Sequence, residues 1–200
     1  MTPSAPLRTL RRFLPAKRAA RCELCGADLA AEHGHLLETA ARRLVCACEA
    51  CGVLFAHRGA GGYRRLPRRV RWLPDFCLTD AEWEALGIPI GLAFFVPHSA
   101  TGRVAAYYPG PAGPVESLLG LESWAGVAAR NPVLTELEPD VEALLANRIG
   151  GAREYCTAPV DRCYELCGLI RMHWRGLSGG EEMWREIAAF FARLREAGRA

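Results

Sequence analysis

Lysine is nearly missing from this chain. Of 25 basic residues in 200, Lys17 is the one lysine and the rest are arginines. With 20 glycines and abundant alanine, that bias reads as a GC-rich coding sequence more than a selected property. Long apolar runs are missing too. No stretch approaches the roughly 18–20 residues that span a bilayer as a helix. Arg11-Arg12-Phe13-Leu14 has the look of a twin-arginine export signal, but no apolar segment follows it, so export is not expected and a cytoplasmic location is. Enzyme signatures are equally scarce. No GxSxG, HExxH or Walker pattern occurs, and the glycines of GPAGPVESLLG lack the Lys-Ser/Thr that completes a phosphate loop. His98 and His173 are the general-base candidates, and neither has an orienting carboxylate at a recognisable spacing. Asp161, Arg162, Tyr164 and Glu165 cluster at a helix start, where Asp161 is read as the N-cap. No catalytic residue is assigned, and the chain reads as non-enzymatic.

Cysteine is what the chain does have. There are nine, an odd number with no secretory signal, which fits metal-bound or free thiols in a reducing compartment better than a disulfide framework. Two stretches are near copies: CELCGADLA at 22–30 and CEACGVLFA at 48–56. Two CxxCG units separated by 22 residues place Cys22, Cys25, Cys48 and Cys51 to close a tetrahedral thiolate cage around one ion. Gly26 and Gly52 follow each pair, where a sharp bend favours a residue without Cβ. HLLE and RRLVCAC between the pairs read as a hairpin, the layout of a zinc ribbon. Zn2+ is the expected ion, and a rubredoxin-like iron on the same four thiolates is the alternative. Cys46 replacing Cys48 stays open, at the cost of a wider C-x4-C pair. His33 and His35 are read as hairpin residues, since four thiolates already complete a zinc shell. Cys163 and Cys167, at i and i+4 of a helix, are read as buried positions rather than a second metal or redox pair.

Charge divides the chain. Residues 1–71 hold 14 basic and 5 acidic side chains, whereas residues 72–200 are net −6. Two acid-free basic patches cause this, Arg8 to Arg21 and Arg58 to Arg71. Arg64, Arg65, Arg68, Arg69 and Arg71 are the candidate partner-binding residues, with an acidic protein, nucleic acid or plain solvent as what they face. Arg42 and Arg43 are read as offsetting the negative charge of a Zn(Cys)4 site.

The expected organisation is a flexible basic arm at 1–20, a metal module at 21–57, an Arg- and Gly-rich connector at 58–78, and an α+β domain at 79–200. Thr79 and Glu82 match a capping box, with Gly87 as the helix stop. Residues 91–97 and 103–109 read as a β-hairpin around HSATG. Residues 121–130 suit a short helix stopped by Asn131-Pro132. Strands are expected around 141–146 and in REYCTAPV, and a helix over 161–174. Ser178 and Glu181 match a second capping box before a final helix over 180–197. That helix is expected to bury Trp184, Ile187, Ala188, Phe191 and Leu194. Strands and helices without regular βαβ alternation give an α+β fold: a small N-terminal zinc-ribbon-like module, then a mixed domain with two C-terminal helices.

Read in order, RCELCG, RRLVCACEACGVLF, YRRLP, IPIGLAFFV, LEPDVEALLANR and VDRCYELCGLIRMHWRGLSGGEEMW resemble an uncharacterised actinobacterial family of about this size. Its members are typically encoded beside high-affinity nickel-iron uptake hydrogenases and their maturation genes. The resemblance covers nearly the whole chain. It implies an accessory or assembly role with a hydrogenase subunit or maturation factor as partner. The residues themselves add a thiolate knuckle, a basic front and an acidic body.

Overall fold

The structure, a computed structural model, describes residues 20–56, 62–110, 112–117, 124–175 and 180–199. The basic arm, Arg58 and Ser178 of the second capping box lie outside them. The described residues form two antiparallel sheets and five α-helices, the α+β class expected. None of these helices is long and apolar enough to cross a membrane.

The first sheet is small. Strands β1 (Gly34–Glu38) and β2 (Arg43–Ala47) form the expected hairpin, and helix α1 (Glu49–Ala56) follows directly. Strand β3 (Tyr63–Arg65) pairs with the free side of β1, so the order is β2-β1-β3. Successive side chains on a strand point to opposite faces. Leu36, Val45 and Ala47 accordingly pack with Cys22 and Cys51, while Leu37 joins the core of the larger body and Leu44 packs against it.

The second sheet has six strands in the order β4-β9-β8-β5-β6-β7. Here β4 is Arg71–Trp72, β5 Leu92–His98, β6 Arg103–Gly110, β7 Gly113–Glu116, β8 Glu142–Asn147 and β9 Glu154–Pro159. Helices α4 (Val160–His173) and α5 (Gly180–Ala197) cover one face, burying Phe94, Leu145, Cys156 and Ala158 against Leu166, Ile170, Phe190 and Phe191. The other face buries Phe95, Leu144 and Ala146 under Leu86 beside α2 (Asp80–Ala85) and Val127 of α3 (Trp124–Arg130). Strand β8 is therefore buried at every position, which is why it reads in sequence as a short apolar run. The Thr79–Glu82 capping box forms as expected, with the Glu82 N–H donating to Thr79 Oγ1 and the Thr79 N–H to Glu82 Oε2.

Three local expectations change. The segment 58–78 is no plain connector, since β3 belongs to the small sheet and β4 to the edge of the large one. Helix α5 buries Met183, Ile187, Phe190, Phe191 and Leu194, while Trp184 and Ala188 are exposed. The apolar stripe starts one residue earlier than expected, because Met183 sets the i, i+4, i+7, i+8 register that meets the sheet. Pro159 rather than Asp161 is the N-cap of α4, and Asp161 Oδ2 instead meets His35 Nδ1 at 3.0 Å. At the far end of α5, Gly198 sits where a Cβ would come within 2.6 Å of the Trp72 backbone nitrogen, so the helix end can meet β4 only with glycine there.

The two sheets are joined by apolar contact and by charge. Leu37 and Leu66 lie in one core with the six-stranded sheet. Arg69 makes a two-pronged contact with Glu142, Nε to Oε1 at 2.9 Å and an NH2 to Oε2 at 3.2 Å. Glu142 is 1% exposed and also accepts the Glu138 N–H. Burial would raise the Glu142 pKa, but Arg69 and the Glu138 amide outweigh it and hold the carboxyl below its ordinary value. Removing Arg69 leaves that charge buried and half-partnered. Arg69→Ala should therefore lower unfolding free energy by about 3 kcal/mol in urea titration, the low end for a broken buried pair because Arg69 itself is half exposed. A depressed folded pKa stabilises fully above the unfolded value, about 4.3, and the gain is lost as pH falls through the folded value. Glu142→Gln should accordingly flatten the acid side of the stability–pH curve below about pH 5.

Candidate metal centre

The first cysteine pair sits in a tight knuckle. The Gly26 N–H donates to the Cys22 carbonyl and the Cys22 N–H to the Ala27 carbonyl, both at 2.8 Å. Gly26 has φ +77 with open space around it, so the position needs glycine for its backbone conformation rather than for room. The second pair departs from the expected second turn. Cys48 immediately precedes α1, the Gly52 N–H makes the first helical bond to its carbonyl, and the Cys51 N–H points at its sulfur at 3.4 Å. Cys48 thus acts as a sulfur N-cap. A helix start supplies free N–H groups and positive potential to a thiolate, which a second hairpin turn would supply less well. Gly52 lies inside the helix and has no positive φ.

Knuckle, hairpin and helix bring the four sulfurs within 4.8 Å of one another. Cys25 and Cys48 sulfurs are 3.7 Å apart. Four sulfurs about 2.3 Å from a central ion would lie about 3.8 Å apart, so the spacing matches a tetrahedral shell. The structure places Cys48, not Cys46, in this group. Cys22 and Cys51 are buried, Cys48 half-buried and Cys25 exposed. Burial would raise the Cys22 pKa, but the N–H groups of Cys48, Cys25 and Leu24 converge on its sulfur and bring it down to about 6. Cys51 is pushed up to about 12 by burial and by sharing protons with the three neighbouring thiols. Four crowded sulfurs cannot all carry charge without a cation among them, and with one they form a site able to hold a metal ion.

A family model for the family of unknown function DUF5947 matches residues 21–198. The chain belongs to this family. No curated protein and no solved structure matches it. The matched span takes in all four cysteines as well as both sheets of this family member.

The five candidate partner-binding arginines mostly meet the chain's own carboxylates. Arg64 reaches Glu138 at 2.7 Å and Asp140 at 3.2 Å, Arg65 reaches Glu49 at 2.5 Å, and Arg71 reaches Glu136 at 2.6 Å. Arg69 is held by Glu142 as described. Arg68 is the freest, 73% exposed in its side chain and 3.7 Å from Glu49. Arg43 pairs with Glu38 and with Glu23 of the first cysteine knuckle, whereas Arg42 abuts His98.

A cleft of about 1240 Å³ escaped the sequence reading. Arg42, His98, Tyr107, Asp140 and Tyr164 are among its lining. Asp140 Oδ1 lies 3.6 Å from His98 Nδ1 and accepts the Ser99 N–H, while the Tyr107 hydroxyl is 3.1 Å from His98 Nε2. Burial, and then the Arg42 charge, holds His98 below its ordinary pKa. The carboxylate sought for His98 thus comes from the loop before β8, far along the chain. Arg42 (φ 52) and Asp140 (φ 67) are the two non-glycine residues with left-handed backbone among the described residues, and both border this cleft.

The remaining cysteines divide by environment. Burial pushes Cys156 and Cys167 up to about 12 and Cys163 well above its ordinary value, whereas Cys77 is exposed. Brief alkylation of the native protein should label Cys77 and leave Cys156, Cys163 and Cys167 intact until denaturant is added, as read by peptide mass spectrometry.

Proposed function

We propose that this chain is a non-enzymatic accessory or assembly factor whose Cys22, Cys25, Cys48 and Cys51 hold one structural Zn2+, and whose metal finger docks on a protein partner. One observation carries the reading: four sulfurs converge at tetrahedral separation, a donor set that fills the zinc shell and leaves no position for a substrate. Beside that cage, α1 presents Val53 and Leu54 at 57% and 70% exposed, apolar surface that suits a protein interface. The family resemblance in the sequence points to a nickel-iron hydrogenase subunit or maturation factor as the partner. Internal pairing of Arg64, Arg65, Arg69 and Arg71 supports a protein partner over nucleic acid, since few of these guanidiniums are left for phosphates. Arg68, with Val53 and Leu54, then forms the exposed contact set.

Metal analysis tests the first half. Cys25→Ser and Cys51→Ser should each lower bound zinc by one equivalent, while Cys77→Ser and Cys156→Ser should not. Zinc content unchanged from the wild type in both of the first two variants would overturn the cage. A red protein with stoichiometric iron would replace zinc by the rubredoxin-like reading of the same thiolates. For the second half, the tagged chain should capture hydrogenase subunits or maturation factors when co-produced with them. The Val53→Glu, Leu54→Glu double variant should capture at least tenfold less at unchanged zinc content. Equal capture by that variant would remove α1 from the interface.

A further inference from the structure

Three ligand-type side chains outside the cage also converge. One ring nitrogen each of His33 and His35 and the sulfur of Cys46 lie within 4.8 Å of one another. The fold brings them together. His35 on β1 and Cys46 on β2 are directly paired across the hairpin, on the sheet face that also carries Leu37 and Leu44 toward the body. His33 enters from the segment just before β1, and the two imidazoles stand 4.9 Å apart, tilted by 54°.

Their other hydrogen bonds select which atoms remain. His33 Nδ1 is 3.0 Å from the Ala30 carbonyl, and His35 Nδ1 is 3.0 Å from Asp161 Oδ2. A carbonyl oxygen only accepts, and a carboxylate is best met by a donor, so both Nδ1 atoms carry the proton and both Nε2 atoms present lone pairs. His33 Nε2 is shielded from solvent and has no hydrogen-bond partner in the protein. A buried acceptor with nothing to accept is unusual, and a cation is what it suits. Metal-ligating histidines characteristically donate their second N–H to a carboxylate or a backbone carbonyl, which fixes tautomer and ring orientation. Both histidines already have that support.

We propose that His33, His35 and Cys46 form a second metal site, a His2Cys set for a borderline-soft dication, Zn2+ first, with Asp161 and the Ala30 carbonyl orienting the rings. Binding releases the Cys46 proton to solvent as the sulfur becomes a ligand. Three protein ligands leave the fourth position to water or an exchangeable ligand, unlike the closed four-thiolate cage. The site also spans the small sheet and the first turn of α4, so an ion there would fix the finger's orientation on the body. Sequence spacing hid it, because the four CxxC thiols already complete one shell and Asp161 lies 126 positions from His35.

Cobalt titration of the full-length, reduced, metal-free protein tests this. Two equivalents of Co2+ should bind, one with the intense thiolate charge-transfer band of four sulfurs and one with a band from a single sulfur. Cys46→Ala and the His33→Ala, His35→Ala double variant should each bind one equivalent and keep the four-sulfur spectrum. Asp161→Asn retains all three ligands and should weaken the second equivalent about 10–100-fold. A wild-type protein saturating at one equivalent, a Cys46→Ala variant that still binds two, or an Asp161→Asn variant with unchanged affinity would each overturn the proposal. The four-sulfur spectrum reports the cage and the Cys46-dependent equivalent reports this site, so either assignment fails without the other.

Discussion

The buried carboxylate of Glu142 is the constraint on which the arrangement of the two sheets rests. It opens β8, the strand covered on both faces, and is the most deeply buried charged side chain among the described residues. A carboxylate there is tolerable only with its lone pairs matched, and the Arg69 fork and the Glu138 N–H provide the match. Because Arg69 lies between β3 and β4, that single contact fixes where the chain passes from the small sheet to the large one. Arg64 on Glu138 and Asp140, and Arg71 on Glu136, reinforce the same line. Arg64, Arg69 and Arg71 on one side and the carboxylates of Glu136, Glu138, Asp140 and Glu142 on the other are two halves of one internal seam.

That seam decides what the metal finger can do. Its outer side carries the four-cysteine cage and the exposed apolar residues of α1, while its inner side holds Leu37 and Leu44 against the body. His33, His35 and Cys46 fall on the inner side, where Asp161 of α4 reaches them. A four-thiol group and a His-His-Cys group on opposite faces of one hairpin follow directly from the alternation of strand side chains. One face suits a rigid docking element, and an ion on the other, as proposed, would tie the small sheet to the body.

Much of the fold was legible along the chain. Alternating and continuous apolar runs placed β5, β6, β8 and β9, and the Thr79–Glu82 box placed α2, because these signals depend on neighbours a few residues away. The C-terminal helix was placed correctly but its face was off by one residue, since Trp184 and Met183 are both apolar and only the sheet beneath selects between them. The short strands β3 and β4 were missed. Two or three residues carry no periodicity, and their arginines read as surface charge until Glu49, Glu136, Glu138 and Asp140 are beside them.

By itself the sequence determined the α+β class, the repeated CxxCG pairs and the thiolate chemistry they imply, because ligand type and local spacing are properties of short segments. Tertiary structure alone decided that Cys48 caps a helix, that Cys46 joins His33 and His35 instead of the cage, that Asp140 meets His98, and that the arginine patch closes on the chain's own carboxylates. Each of these depends on contacts between residues far apart in the chain. Such contacts are set by which sheet faces pack together and by the need to match every buried charge, and neither is written in local spacing.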